Sequence, residues 1–472
     1  MIKRVTVFIF LVFSVSLVKI EAQVSITDSL RSIVKDDLRD TVNVNNLNLL
    51  ARGLGREGKF DESLKYAILA RTIAKKINFR KGLGLSLLAS GYTYKLKGAY
   101  QSALDDFEEA ENIFRSISDF EGLGMSHNFM GYTYEDLSDY KQGFDHHLRA
   151  LEFLTRANNP SSLATVNNGI GINCYRRGSY EVALLYHFKA LKIADSAKLS
   201  AHQATSFNNI AVIYERLSDY KNALDYYSKS LLVLQREKML PVVAKTLSNI
   251  GGVNIALGNY SEAKKNLDEA YKIRIQIGDK HQVYTLSNYG DLYMNLKKYD
   301  SAELYYSQSL KLAREMNNLE GELYPIKGLG NLYLLQGKLN KSFEYFDLAY
   351  TIARQINAKL WLEEIYYCKA KIDSARGDFK SSLAWFKLYD NLNDSLFSQM
   401  KNEKILYLQS AHNTENTWSK NSIVGRSENV RTKTNLQSTF GWPYLITIAL
   451  LITLIIGVVV LYLQRRFHQY KS

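Results

Sequence analysis

Six asparagines stand in a row that keeps step with a long repeat: Asn128, Asn168 and Asn208 lie 40 apart, and Asn209, Asn249 and Asn288 follow at spacings of 40 and 39. A neutral carboxamide both donates and accepts, so a spaced row of them can bond the backbone of an extended peptide. The same spacing would let the amides bond one another between units and stiffen the chain. Tyr92, Tyr132, Tyr175, Arg176, Glu215 and Arg216 fall near the row and would add stacking and charge.

The other residues with chemical potential have structural explanations. His147 and His187 occupy equivalent repeat positions beside His146, but that position holds Phe107, Tyr227, Tyr306, Phe346 and Phe386 in other units. A core ring therefore accounts for them better than a metal site. Gly53, Gly55 and Gly58 spell GxGxxG without the preceding strand that a pyrophosphate cradle needs, so no nucleotide cofactor is expected. No HExxH, P-loop, nucleophile-base pair or paired carboxylates stand out, and no enzyme activity is expected. Cys174 and Cys368 lie five units apart and read as small apolar core residues.

The elements that must position the asparagines recur about every forty residues between positions 45 and 390. Their turn positions run Gly58, Gly98, Ser138, Gly178, Ser218, Gly258, Lys297, Gly337 and Gly377. A small residue precedes each turn, as at Gly91, Gly131, Gly171 and Ala211, and another follows it, as at Ala103, Gly143, Ala183 and Ala223. Small residues let two helices cross closely, and the aromatics between them, such as Tyr100, Tyr140 and Tyr180, fill the space around the crossing. Each unit is predicted to be a helical hairpin that buries its apolar faces only by stacking on its neighbours.

This small-aromatic-small order around a glycine turn resembles the tetratricopeptide repeat (TPR) family. The match covers about three quarters of the chain. The unit is some six residues longer than the usual one, which predicts longer helices, and the family's closing proline is mostly missing, with four prolines in all. The resemblance implies an all-α, right-handed superhelical solenoid of about nine hairpins, whose first helices line a concave face that binds a peptide or protein. The ninth unit, through Gly377 to Tyr389, is the weakest, as suits a terminal cap. A capping helix is expected over 23–44.

The two ends suggest where the solenoid lives. Residues 1–22, a basic head followed by a short apolar stretch and the sequence IEA, read as a secretory signal peptide. Residues 391–441 read as a helix leading into a polar, Ser/Thr/Asn-rich stalk. Within 442–463, Pro443 to Leu463 carries no charge, long enough to span a bilayer as a transmembrane helix, with Trp442, Tyr444 and Tyr462 at its edges and Arg465, Arg466 and Lys471 beyond. The expected topology is single-pass in the cytoplasmic membrane, with the repeats in the periplasm and 464–472 as a short cytoplasmic tail.

The formal charge of +13 falls to +8 without the signal segment and tail, and signs alternate along the helices, so no nucleic-acid partner is expected. The first functional expectation is a membrane-anchored, periplasmic, non-enzymatic protein that binds a peptide or protein segment in its groove and passes a signal through the span. A structural scaffold for envelope assembly is the alternative. The order of segments also resembles the periplasmic sensory half of bacterial TPR membrane sensors of the histidine kinase or helix-turn-helix type, without the output domain. In that case a downstream cytoplasmic signalling protein is the expected partner.

Overall fold

The computed structural model describes residues 26–35, 38–279 and 282–394. The chain divides into two compact units, 1–407 and 408–472, and all the described residues lie in the first. The signal segment, the polar stalk, the apolar stretch at 442–463 and the tail lie outside the described residues. Among the described residues no helix is long and apolar enough to cross a membrane.

Helices account for nearly all of the described chain, and no strand occurs in it. After a short leading helix α1 (Ile26–Ile33), hairpins follow in pairs: α2 (Thr41–Arg56) with α3 (Phe60–Lys76), α4 (Arg80–Leu96) with α5 (Tyr100–Ser116), α6 (Phe120–Asp136) with α7 (Tyr140–Ala157), and α8 (Pro160–Arg176) with α9 (Tyr180–Ser196). The series continues with α10 (Ser200–Arg216) and α11 (Tyr220–Arg236), α12 (Leu240–Ala256) and α13 (Tyr260–Gln276), and α14 (Val283–Asn295) and α15 (Tyr299–Glu315). It ends with α16 (Leu319–Leu335) and α17 (Leu339–Gln355), then α18 (Lys359–Ala375) and a helix α19 over 379–394.

All nine turn positions read from the sequence adopt left-handed backbone, with φ between 57° at Lys297 and 83° at Gly178. At Ser138 the stop is a Schellman motif: its N–H donates to the Glu135 carbonyl at 2.9 Å and the next N–H, of Asp139, reaches back to Tyr134 at 2.8 Å. A second left-handed residue ends the second helix of each of the first eight pairs, at Asn78, Ser118, Asn158, Lys198, Lys238, Gly278, Asn317 and Asn357. Most helices therefore run 17 residues between stops, which accounts for the length of the unit.

Each of the first eight hairpins closes on a buried side chain of its second helix. Phe107, His147, His187, Tyr227, Tyr306 and Phe346 are at most 1% exposed. Five of these six rings press on a glycine of the first helix: a Cβ added at Gly91, Gly131, Gly171, Gly290 or Gly330 would lie 2.4–2.7 Å from a ring atom. Phe386, the equivalent ring of the ninth unit, is 48% exposed, because no further helix covers it among the described residues. At the other end α1 packs on α2, with the Thr27 methyl against Gly53. The first hairpin begins at Thr41, four residues before the expected start, and the capping helix is correspondingly shorter than 23–44. Gly53 and Gly55 lie inside α2 and Gly58 is its left-handed stop, which excludes a strand-to-helix phosphate loop at this GxGxxG. The two cysteines are not joined in a disulfide; Cys174 is buried and Cys368 half-buried.

The solenoid also meets itself. The Ser138 hydroxyl, in the turn between α6 and α7, donates to the Ile356 carbonyl after α17 at 2.7 Å, across 218 residues of sequence. A turn of the superhelix therefore closes within about five units, and the first helices of the later hairpins face those of the middle ones across a lumen.

Candidate functional site: the inner face of the solenoid

The first helix of each hairpin turns one side to its partner helix and the other to the lumen. The asparagine row straddles this boundary. Asn128 and Asn168 are 7% and 4% exposed and belong to the wall beneath the lining. The Asn128 Oδ1 lies 3.0 Å from Nδ1 of His147, and the Asn168 Oδ1 lies 2.8 Å from Nδ1 of His187. Asn168 also donates to the Ser206 hydroxyl of the next hairpin at 3.0 Å. Their expected place in the groove is thus corrected: burial and these bonds commit both amides to holding the core imidazoles. Asn288 likewise donates to the Ser248 carbonyl at 2.8 Å, tying α14 to α12.

Asn208, Asn209 and Asn249 are half-buried on α10 and α12. Asn249 lies within hydrogen-bond reach of Tyr227, whose hydroxyl donates to the Glu215 carboxylate at 2.7 Å. By contrast, the enclosed Oδ1 of Asn208 and Nδ2 of Asn209 have no hydrogen-bond partner, an acceptor and a donor on consecutive residues of α10 that differ by about 100° in direction. Enclosed polar atoms left unmatched are costly, which makes this pair the chemically unfinished part of the row.

The aromatic and charged candidates fall into two groups. Tyr92 packs at 5.7 Å from Phe129, with Arg56 above Tyr92 and Arg52 above Phe129 at 5.9 and 5.7 Å from the ring centroids. Tyr132 sits edge-on to His147 at 4.8 Å, and burial pushes its phenol well above the usual range. The second group, on α8 and α10, contains Tyr175, Arg176, Glu215 and Arg216. Burial pushes the Tyr175 phenol up to about 12. Burial likewise raises the Glu215 carboxyl, with the Tyr227 hydroxyl pulling the other way.

What the sequence reading missed is the opposite wall. Burial works against the Arg176 charge, yet Glu320 of α16, with Glu135 and Asp136 of α6, more than offsets it and the guanidinium pKa rises. For Arg216, burial is similarly outweighed by Tyr180, Tyr175 and Glu364 of α18. Glu363 is raised by burial and pulled back by Arg216. These influences reach across some 145 residues of sequence because the superhelix brings α16 and α18 opposite α8 and α10. Across α14, α16 and α18 runs an aromatic strip: Tyr284 meets Tyr324 at 4.9 Å and Tyr324 meets Trp361 at 4.8 Å, both edge to face. Lys327 lies over Trp361 and pairs with Glu364 at 3.1 Å. The signal was present in the sequence, since Lys245, Tyr284, Tyr324 and Glu364 keep the same 39-to-40 spacing as the asparagines.

Among the described residues no three His, Cys, Asp or Glu side chains converge as metal ligands. A cavity of about 500 Å³ opens at the last unit, lined by Arg354, Leu362, Tyr366 and Leu392 among others, and none of the luminal residues above lines it.

Comparison with known proteins agrees with this architecture. One tetratricopeptide repeat family matches residues 123–196 and 242–315, and a second matches 204–233. The chain thus carries tetratricopeptide repeats over these residues. Among solved structures it is similar to a Rap protein complexed with competence and sporulation factor, at 18% identity and a TM-score of 0.56, over 76% of this chain and 100% of that one. It is also similar to the apo form of RapI, at 18% identity and a TM-score of 0.51, over 58% of this chain and 98% of that one. The Rap conjugation gene regulator of plasmid pLS20 in complex with the Phr* peptide aligns at 17% identity and a TM-score of 0.50, over 66% of this chain and 96% of that one. At such identities the likeness establishes the fold. No curated protein matches the chain.

Proposed function

We propose that this chain is a membrane-anchored, non-catalytic receptor whose repeats lie in the periplasm and bind a peptide or protein segment on the inner face of the solenoid, as the sensory part of a signalling system. The observation that carries the binding half is the half-buried amide pair of Asn208 and Asn209 beside a lumen lined with tyrosines and charged side chains; their Oδ1 and Nδ2 are enclosed without a partner and would have to rotate outward to meet a ligand. Two similar structures hold a competence and sporulation factor and a Phr* peptide, which supports a peptide as the kind of ligand this fold accommodates. Anchoring rests on the sequence of the ends: the apolar head before Gln23 and the uncharged run from Pro443 to Leu463.

The test of binding uses the full chain in detergent as bait for periplasmic peptides and proteins. Asn208→Ala with Asn209→Ala should reduce capture of the wild-type partner about tenfold, as loss of one or two amide contacts at about 1 kcal/mol each would do, with little change in melting temperature. Asn168→Ala should behave in the opposite way, melting earlier while keeping its partner, because it strips His187 of its acceptor. Equal capture by the wild type and the double variant would remove the inner face from the reading.

Location is tested separately. A reporter active only in the periplasm should be silent when fused after Ser472 and active when inserted near Ser427. The reverse pattern would overturn the topology and leave the groove chemistry untouched.

A further inference from the structure

Two arginines near the end of α2 stand without a negative partner. Arg71 and Arg274, both largely enclosed, meet the carboxylates of Asp106 and Asp279. Arg52 and Arg56 meet none: among the described residues neither forms an ion pair or a hydrogen bond. Arg52 is half-buried, with Nε enclosed and unmatched and its two Nη open to solvent. Burial lowers its pKa from the ordinary guanidinium value, the charge of Arg56 lowers it further, and Tyr92 alone pulls the other way.

Aromatic rings from two further hairpins hold the pair in place. The guanidinium carbon of Arg52 lies 5.7 Å from the Phe129 centroid on α6 and that of Arg56 lies 5.9 Å from the Tyr92 centroid on α4, while the two rings are 5.7 Å apart. Arg52 thus reaches from the first hairpin to the third, which the crowding of first helices on the concave side allows. Lys95, three residues after Tyr92, is by contrast neutralised by Asp136 at 2.6 Å. The last turn of a helix favours a cation, which accounts for Arg56 but not for enclosing a second one a turn earlier. Like charges at this spacing repel, and the ring faces offset only part of that cost.

We propose that Arg52 and Arg56, with Tyr92 and Phe129 as their floor, bind the phosphate group of a small soluble ligand, either free phosphate or a phosphomonoester. Side chains four residues apart on a helix start about 5–6 Å from one another, so two guanidinium groups converge on one tetrahedral group whose oxygens point in several directions. A carboxylate, flat and singly charged, fills one guanidinium and leaves the other bare. A phosphate group carries about 1.5 to 2 negative charges at pH 7 and answers both. The site shares no residue with Asn208 and Asn209 and takes a small anion rather than a peptide, so it stands or falls independently of the peptide reading.

The experiment titrates the full chain in detergent by isothermal calorimetry, at fixed pH and ionic strength, with inorganic phosphate, glycerol 3-phosphate and succinate. A phosphate probe should bind about tenfold or more tighter than succinate, the effect of one charge-assisted contact. Binding of inorganic phosphate alone assigns the free ion as the source, and tighter binding of glycerol 3-phosphate assigns the ester. Arg52→Gln and Arg56→Gln should each weaken phosphate binding about tenfold or more. Without ligand Arg52→Gln should melt no earlier than the wild type, because the charge it removes is unpaired, and the exposed Arg56 keeps the test open should Arg52→Gln fail to fold. Arg156→Gln is the control: Arg156 also lies over a ring, that of Phe120 at 5.6 Å, but pairs with Glu152 at 3.1 Å, and its loss should leave binding unchanged. Succinate binding as tightly as phosphate would overturn the assignment of the ligand. Phosphate binding that survives both Arg52→Gln and Arg56→Gln, or falls equally in Arg156→Gln, would overturn the site, and failure of both phosphate probes to bind would overturn the proposal outright.

Discussion

As pH falls from 6.5 toward 4 the folded chain should lose stability, and His187→Phe should remove the largest single part of that loss. His187 is 1% exposed, and burial holds its pKa down to about 3 from an ordinary value of 6.5. His146 is held down to about 4, first by burial and then by the charge of neighbouring His127. A group whose folded pKa is depressed stays neutral in the fold while the unfolded chain takes up a proton. Stability is therefore complete above pH 6.5 and is lost progressively on the way down to the folded value. Each tenfold difference in proton affinity between the folded and unfolded chain is worth about 1.4 kcal/mol, so His187 alone accounts for a loss on the order of several kcal/mol at the bottom of its window. Glu215 works the other way, because its raised carboxyl favours the fold as it protonates, and it offsets part of the loss. Phenylalanine suits the site sterically, since Phe107 and Phe346 fill the same position in other units, although it leaves the Asn168 carbonyl without its imidazole partner. Thermal melts at pH 7.5 and pH 5 measure the effect. The drop between the two should be clearly smaller in His187→Phe than in the wild type, and identical drops would show that the buried imidazole does not govern acid sensitivity.

The hairpins were legible because the residues that stop helices are chemically conspicuous. Glycine at six of the nine turn positions marks left-handed backbone without a Cβ penalty, and the constant spacing carried the assignment through Ser138, Ser218 and Lys297. The links between hairpins were less visible. Seven of their eight left-handed residues are Asn, Ser or Lys, types that also occur throughout exposed helix faces, so only the fold reveals that a stop recurs every 20 residues. The expected aromatic packing of His147 and His187 agrees with their burial. The hydrogen bonds that accompany it depend on partners 12 to 19 residues away, such as Glu135 and Asn128 for His147.

The site was only half legible. One residue along a helix rotates a side chain by about 100°, so the adjacent registers of Asn168 and Asn209 differ in what they face, and spacing alone does not separate wall from lining. The opposite wall escaped for a different reason. Arg176 and Glu320 belong together only because the superhelix closes, and closure sums small rotations between every pair of neighbouring units. The long-range contact of Ser138 with Ile356 has no signature in the local pattern.

Two glycines in the first helices should respond to the same substitution with opposite sign. Replacing a helix-interior glycine by alanine contributes about 0.5 to 1 kcal/mol by restricting the unfolded chain, provided the new methyl has room. At Gly252 it has room: the nearest atom to an added Cβ is the Asn288 amide nitrogen at 3.5 Å, an ordinary contact. At Gly328 the same Cβ would lie 2.2 Å from the Tyr306 ring. That ring has little room to retreat, because a Cβ at Gly290 would also lie 2.4 Å from it, and its hydroxyl is tied to Asp291. Overpacking of this kind costs about 1 to 3 kcal/mol and outweighs the gain in helix propensity. Since a solenoid unit touches only its neighbours, the damage at Gly328 should centre on the seventh and eighth units, and hydrogen exchange should rise there first. Denaturation midpoints should therefore move up for Gly252→Ala and down for Gly328→Ala. Movement of both in the same direction would mean that Tyr306 is not wedged between α14 and α16 as the packing requires.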